Sequence, residues 1–157
     1  SVKFRPGSGI TTDYRTACVV AVPLMRVEEM YFIAAEAAAH ANPADGVAKL
    51  ESFMKTYRYP TYKCYASDEE NVIEEIILQK RIELWGEGQT YFDVKRRDMS
   101  VTRGYDGSNF NFGADTYNTE GRPAWMNFVI TAAETENNVG IKDFNSPSPF
   151  GALKPLN

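Results

Sequence analysis

Residues 79–97, QKRIELWGEGQTYFDVKRR, constrain the fold more than any other stretch, because they place two glycines at the end of a strongly helical run. Gly86 and Gly88 bracket Glu87 where the helical pattern stops, and glycine just past the last periodic residue is a usual helix terminator. The first half continues an amphipathic helix expected to begin near Ser67. The second carries Tyr91, Phe92 and Val94 among Asp93, Lys95, Arg96 and Arg97. A helix, a tight corner and a second short helix at about 89–97 follow. The corner would fold the basic segment back so that Glu83 and Glu87 meet Arg96 or Arg97, pairs that orient a surface more than they stabilise it.

Upstream, two further helical patterns are readable, and the start of the third is marked. Pro23 sits where a helix likes to begin, with φ fixed and no N–H to leave unsatisfied. After it, Leu24, Val27, Tyr31, Ala34, Ala38 and Ala41 fall at 3/4 spacing with Met30 and Ala37 beside them, predicting one broad apolar stripe. Asn42-Pro43 stops this helix, and a second follows with Val47, Leu50, Phe53, Met54 and Tyr57 on one face. So short a connection predicts an antiparallel hairpin, with the small Ala34, Ala37, Ala38 and Ala41 allowing close approach. Ser67-Asp68-Glu69-Glu70 reads as a capping box in which Ser67 accepts from the Glu70 N–H. The third helix then turns Val72, Ile73, Ile76, Ile77, the Lys80 stem and Leu84 inward, and Glu69, Glu70, Glu74 and Glu75 outward. Four helices are expected to form the core.

The flanks are less regular. In 17–22, ACVVAV is a short β-branched run that fits a strand or an extended lead-in, the latter favoured. Residues 57–66, YRYPTYKCYA, hold four tyrosines, which either pack the loop onto the hairpin or present flat amphipathic faces to a ligand. From Asp98 onward Gly, Asn, Ser, Thr and Pro dominate, with isolated aromatics Tyr105, Phe110, Phe112, Tyr117, Trp125 and Phe128; Trp125 to Ile130 reads as a short strand or extended piece.

At 157 residues the chain fits one domain and buries roughly 70% of its unfolded surface. Its net charge of −4 argues against a nucleic-acid partner, and the KRR cluster at 95–97 is only local. No run approaches the ~20 apolar residues of a membrane span, and no signal peptide is visible. Cys18 and Cys64 lack the close spacing of a zinc site or redox pair; a disulfide is chemically possible, and two buried free thiols are favoured. His40 ends an alanine-rich helix and is expected to face that helix's terminal carbonyls, without metal partners. No cofactor is expected.

Two motifs carry a family resemblance. The first comprises Pro23, Arg26, Glu29, Met30, Tyr31, Ala35, Glu36 and Ala37; the second comprises Gln79, Lys80, Arg81, Glu83, Leu84, Gly88, Phe92, Asp93 and Arg96. In this order they resemble the carboxy-terminal part of the SusD/RagB family, nutrient-binding lipoproteins of the Bacteroidetes outer membrane. FVITAAETENN at 128–138 is similar to the family's closing segment, with Thr131 where the family has proline. The resemblance implies a mainly α fold of TPR-like helical hairpins followed by a long irregular tail whose aromatics anchor it across a larger helical body. The expected organisation is an extended lead-in at 1–22, a helical core at 23–97 and an irregular packed tail at 98–157. Family members are longer and lipid-anchored through an amino-terminal cysteine, so the chain is expected to be the distal portion of a longer or truncated polypeptide.

The resemblance further implies a non-catalytic role, capturing oligosaccharides or oligopeptides at the cell surface and delivering them to a SusC-like, TonB-dependent outer-membrane transporter. Candidate carboxylate pairs exist among Glu36, Glu83, Glu87 and Asp93, but nothing fixes the ~5–9 Å separation that glycoside hydrolysis needs. Nucleophile elbows, phosphate loops and metal-binding helices are absent from the sequence. Arg26, Glu29, Glu36, Arg81, Glu83 and Asp93 are the family-type polar positions and are expected to lock the scaffold, because partly buried charges must be paired. Tyr59, Tyr62 and Tyr65 are the expected ligand contacts. The alternative is a TPR-like helical module that binds only protein partners.

Overall fold

A computed structural model describes residues 24–109, 118–123, 126–127 and 130–141. It is mainly helical, as the sequence implies: α1 (Val27–Ala41), α2 (Pro43–Tyr57), α3 (Glu69–Glu83), α4 (Gln89–Arg96), α5 (Ala132–Asn137) and a 3-10 turn at Val139–Ile141. The chain divides into two compact units between Glu87 and Gly88, inside the stretch expected as one helical core, so α4 opens the second unit.

The first unit is built on a hairpin whose corner is a single residue. Asn42 is extended at φ −157°, which ends α1, and its side chain accepts from the Ala44 N–H, which starts α2 with Pro43 in the first turn. Phe32 packs edge-on against Phe53 at 5.1 Å, while Ala39 lies against Gly46 nearer the corner, so the helices run antiparallel. A Cβ on Gly46 would sit 2.5 Å from the Ala39 Cβ and 2.8 Å from its Cα. The close approach expected of α1 is therefore made by Ala39 and a glycine, not by Ala34, Ala37 and Ala41.

The buried face of α1 also differs from the expected stripe. Phe32, Ala35, Glu36 and Ala39 are buried, whereas Leu24, Val27, Met30, Tyr31, Ala34, Ala37 and Ala41 are exposed and Ala38 is half-buried. The helix is apolar on nearly every side, so 3/4 spacing alone admits more than one stripe. It begins at Val27, with Arg26 extended before it and no side-chain cap. Pro23 and the 17–22 lead-in lie outside the described residues.

Helix α3 matches its expected face, with Val72, Ile73, Ile76, Ile77, Lys80 and Leu84 all buried against the hairpin. Its cap is Asp68 rather than Ser67: the Asp68 carboxylate accepts from the Asn71 N–H at 3.1 Å and from the Asn71 side chain at 2.6 Å. Both residues are competent caps, and the carboxylate gains from the positive helix end. His40 reaches α3 instead of its own helix's carbonyls, with Nδ1 2.8 Å from Glu69.

In the second unit α4 follows Gly88, left-handed at φ 82°; Gly86, at the end of the first unit, is likewise at φ 79°, so both glycines of the corner adopt backbone that favours glycine. Buried Asp93 accepts from Arg96 Nε at 2.9 Å and Nη2 at 2.8 Å. In the described part of the tail, polar side chains bond to backbone. Asn118 accepts from the Arg103 and Gly104 N–H groups and donates to the Gly104 carbonyl. Beside it Thr102 and Asn118 form an isolated antiparallel bridge, with no strand among the described residues. Asp98 and Ser100 accept from the Arg122 and Gly121 N–H groups. Tyr105 is exposed, Met126 sits in a turn where its carbonyl accepts from the Tyr91 hydroxyl, and Phe110, Phe112, Tyr117, Trp125 and Phe128 lie outside the described residues.

Candidate functional site

Two features of the first unit gather its chemistry: a charge cluster at the open end of the hairpin and an aromatic cleft on its side. In the cluster Arg26, just before α1, meets the last turn of α3. Its Nη1 donates to the Glu83 carbonyl at 3.1 Å and to Glu87 Oε1 at 2.9 Å; its Nη2 donates to Glu28 at 2.8 Å and to Glu83 Oε1 at 2.5 Å. A guanidinium bonded to a terminal carbonyl also sits at the negative end of the helix macrodipole. Arg58, just past α2, completes the clasp by donating through Nε and Nη2 to both oxygens of Glu83.

Electrostatics follow from that geometry. The Arg58 hydrogen bonds, joined by those from Arg26 and working against burial, hold the Glu83 carboxyl at about 2. Burial opposes the Arg26 charge, but its bonds to Glu28, Glu83 and Glu87 outweigh it and hold the guanidinium above its ordinary value. Glu83 and Glu87, expected to meet the basic segment after the corner, are thus engaged by Arg26 and Arg58. A second link joins the same helices where Lys80 Nζ lies 4.0 Å from Glu29. Of the other family-type positions, Glu36 and Asp93 are buried and Arg81 is exposed. Arg26 and Arg58 thus hold the carboxylates of Glu28, Glu83 and Glu87, an arrangement that suits a brace.

The cleft lies between α1 and α2. Phe53 forms its base, with Tyr31 at 5.1 Å and Tyr57 at 5.6 Å between ring centroids, and Tyr31 and Tyr57 are 5.9 Å apart. Both tyrosines are about half exposed. Ala34 and Ala48 leave the space, and Lys49, Ser52 and Thr56 supply a polar rim; the volume is about 460 Å³. Hydrogen bonding to Tyr57 holds the Tyr31 phenol above its ordinary value. The sequence assigns both tyrosines to core stripes and carries no signal for a groove, which forms only where α1 and α2 come together.

The tyrosine loop is placed by its own anchors. Tyr62 donates to Glu75 on α3 at 2.5 Å, and the Cys64 N–H donates to Glu51 on α2 at 3.0 Å. Cys64 is a buried free thiol whose pKa burial pushes up; Cys18 lies outside the described residues. Tyr59 and Tyr65 are exposed, with the Lys63 ammonium 5.2 Å from the Tyr65 ring.

A helical hairpin clasped to a third helix at its open end by partly buried charges defines a helical scaffold. The chain belongs to the SusD family, whose model matches residues 2–138. A crystal structure of a SusD-like carbohydrate binding protein from Bacteroides vulgatus ATCC 8482 is similar over 87% of this chain, at 27% identity and a TM-score of 0.64. The chain spans about one third of that protein, with 33% of it covered. No curated protein matches the chain.

Proposed function

We propose that this chain is part of a non-catalytic cell-surface subunit that captures nutrient oligosaccharides and passes them to a SusC-like, TonB-dependent outer-membrane transporter. The similarity to a carbohydrate binding protein, extending over 87% of the chain, carries this reading. The site chemistry supports it: the carboxylates of the cluster are bound by arginines, and the exposed aromatic surface suits stacking on sugar rings. Oligopeptides are a second ligand class for the same role. Tyr59 and Tyr65 offer exposed rings on the loop after α2, and Tyr62 fixes that loop to α3.

Among the described residues no helix is long and apolar enough to cross a membrane. The proposed attachment is a lipid on an amino-terminal cysteine of a longer polypeptide, at the surface of a Bacteroidetes outer membrane. Isolation from source membranes tests this. Co-elution with a large outer-membrane protein, with an intact mass several-fold above 17.6 kDa and an attached lipid, is the expected result. A soluble, unmodified 17.6 kDa chain without such a partner overturns it in favour of a helical module that binds only proteins.

A further inference from the structure

We infer that the cleft between α1 and α2 is a sugar-binding subsite, in which a pyranose ring of an oligosaccharide stacks on Tyr31 and Tyr57 and hydrogen-bonds to Ser52, Thr56 and Lys49. The inference rests on the carbohydrate-capture reading and adds the location and the contacts. A pyranose has an apolar C–H face and a rim of hydroxyls, so it needs a flat ring surface beside donors and acceptors. This cleft has that division: three aromatic rings in mutual contact on one side, two hydroxyls and an ammonium on the other, and no carboxylate in its lining. Its volume of about 460 Å³ falls in the range of small-ligand sites.

The cleft is also prepared for binding before a ligand arrives. Phe53 is 4% exposed and wedged against Phe32, so the platform beneath the two tyrosines is fixed by the core of the hairpin. The Arg58 guanidinium lies 5.3 Å from the Phe53 ring while its nitrogens hold Glu83, which ties the platform to the charge clasp. Rings already ordered lose little freedom on binding. An apolar helix seated in the cleft would bury Lys49, Ser52 and Thr56 without partners, whereas sugar hydroxyls satisfy them.

The test uses the membrane-isolated protein and its recombinant variants on an array of neutral and acidic oligosaccharides, with the strongest hit re-measured by calorimetry. Tyr57→Ala and Tyr31→Ala are expected to weaken that hit by about tenfold or more, and Tyr57→Phe to retain most of the affinity. Ala48→Trp, at an exposed position, fills the cleft while leaving both tyrosines, and is expected to abolish binding with an unchanged thermal midpoint. Wild-type affinity in both Tyr57→Ala and Ala48→Trp would overturn the subsite and leave carbohydrate capture standing. No array hit for the wild-type protein would overturn both, whereas a cleft found occupied by a protein segment would overturn the subsite alone.

Discussion

Arg26 grips Glu83 twice, donating Nη1 to its backbone carbonyl and Nη2 to its carboxylate, across 57 positions of sequence. One residue belongs to the first family motif and the other to the second. Their contact links the two motifs, pins the start of α1 to the end of α3 and holds the hairpin against the third helix.

If that contact is energetic, its two residues must be coupled. Arg26→Ala is expected to lower stability by about 2 kcal/mol or more, since it strips a donor from a mostly buried carboxylate. A double-mutant cycle with Glu83→Ala, followed by chemical denaturation, is expected to show a coupling of about 1–2 kcal/mol; additive single-mutant effects would mean that Arg26 and Glu83 are merely adjacent.

Acid should open the same clasp. The folded Glu83 carboxyl titrates at about 2 against 4.5 for an unperturbed one, so its stabilisation is complete above pH 4.5 and is lost as pH falls toward 2. The contribution is at most about 3 kcal/mol. Thermal melts are expected to show a loss across that window that shrinks in Glu83→Gln; an unchanged acid slope in that variant would place the effect on other carboxylates.

Two glycine substitutions should fail for different reasons. Gly46→Ala drives a methyl into the Ala39 side chain and backbone and is expected to cost about 1–3 kcal/mol, only partly relieved by Ala39→Gly. Gly88→Ala meets no atom within 4 Å but must hold φ +82°, so about 1 kcal/mol is expected, with Asn tolerated better than Ala. Equal tolerance of Ala and Asn at position 88 would show that the left-handed corner is not held in solution.

The tail makes a separate claim. Asn118→Ala removes one acceptor shared by the Arg103 and Gly104 amides and one donor to the Gly104 carbonyl. Hydrogen exchange is expected to speed up at those two amides by about tenfold or more, with little change in α1–α3. Unchanged exchange at both would contradict the bracing role given to Asn118.

How much of this was legible depended on contrast along each helix. In α3, aliphatic residues alternate with glutamates at helical spacing, so one face alone could be inner, and the structure buries that face. In α1, apolar residues surround the helix and the inner face carries Glu36, which no hydrophobic pattern selects. The cap of α3 slipped by one because Ser67 and Asp68 compete for it. The glycine corner was readable because left-handed backbone has a strong residue preference. The partners of Glu83 and the cleft were not, because both depend on which residues of distant segments come together. Tyr31 and Tyr57 have the spacing of core residues, and only the crossing of α1 and α2 shows that they line a groove's edge.

The most direct test of the whole account is calorimetric titration of the membrane-isolated protein with the oligosaccharide that an array ranks first, with the mixture analysed for products afterwards. Saturable binding with the sugar recovered intact is the expected result. Release of shorter sugars, or an array without a single bound oligosaccharide, would contradict a subunit that captures carbohydrate and hands it on.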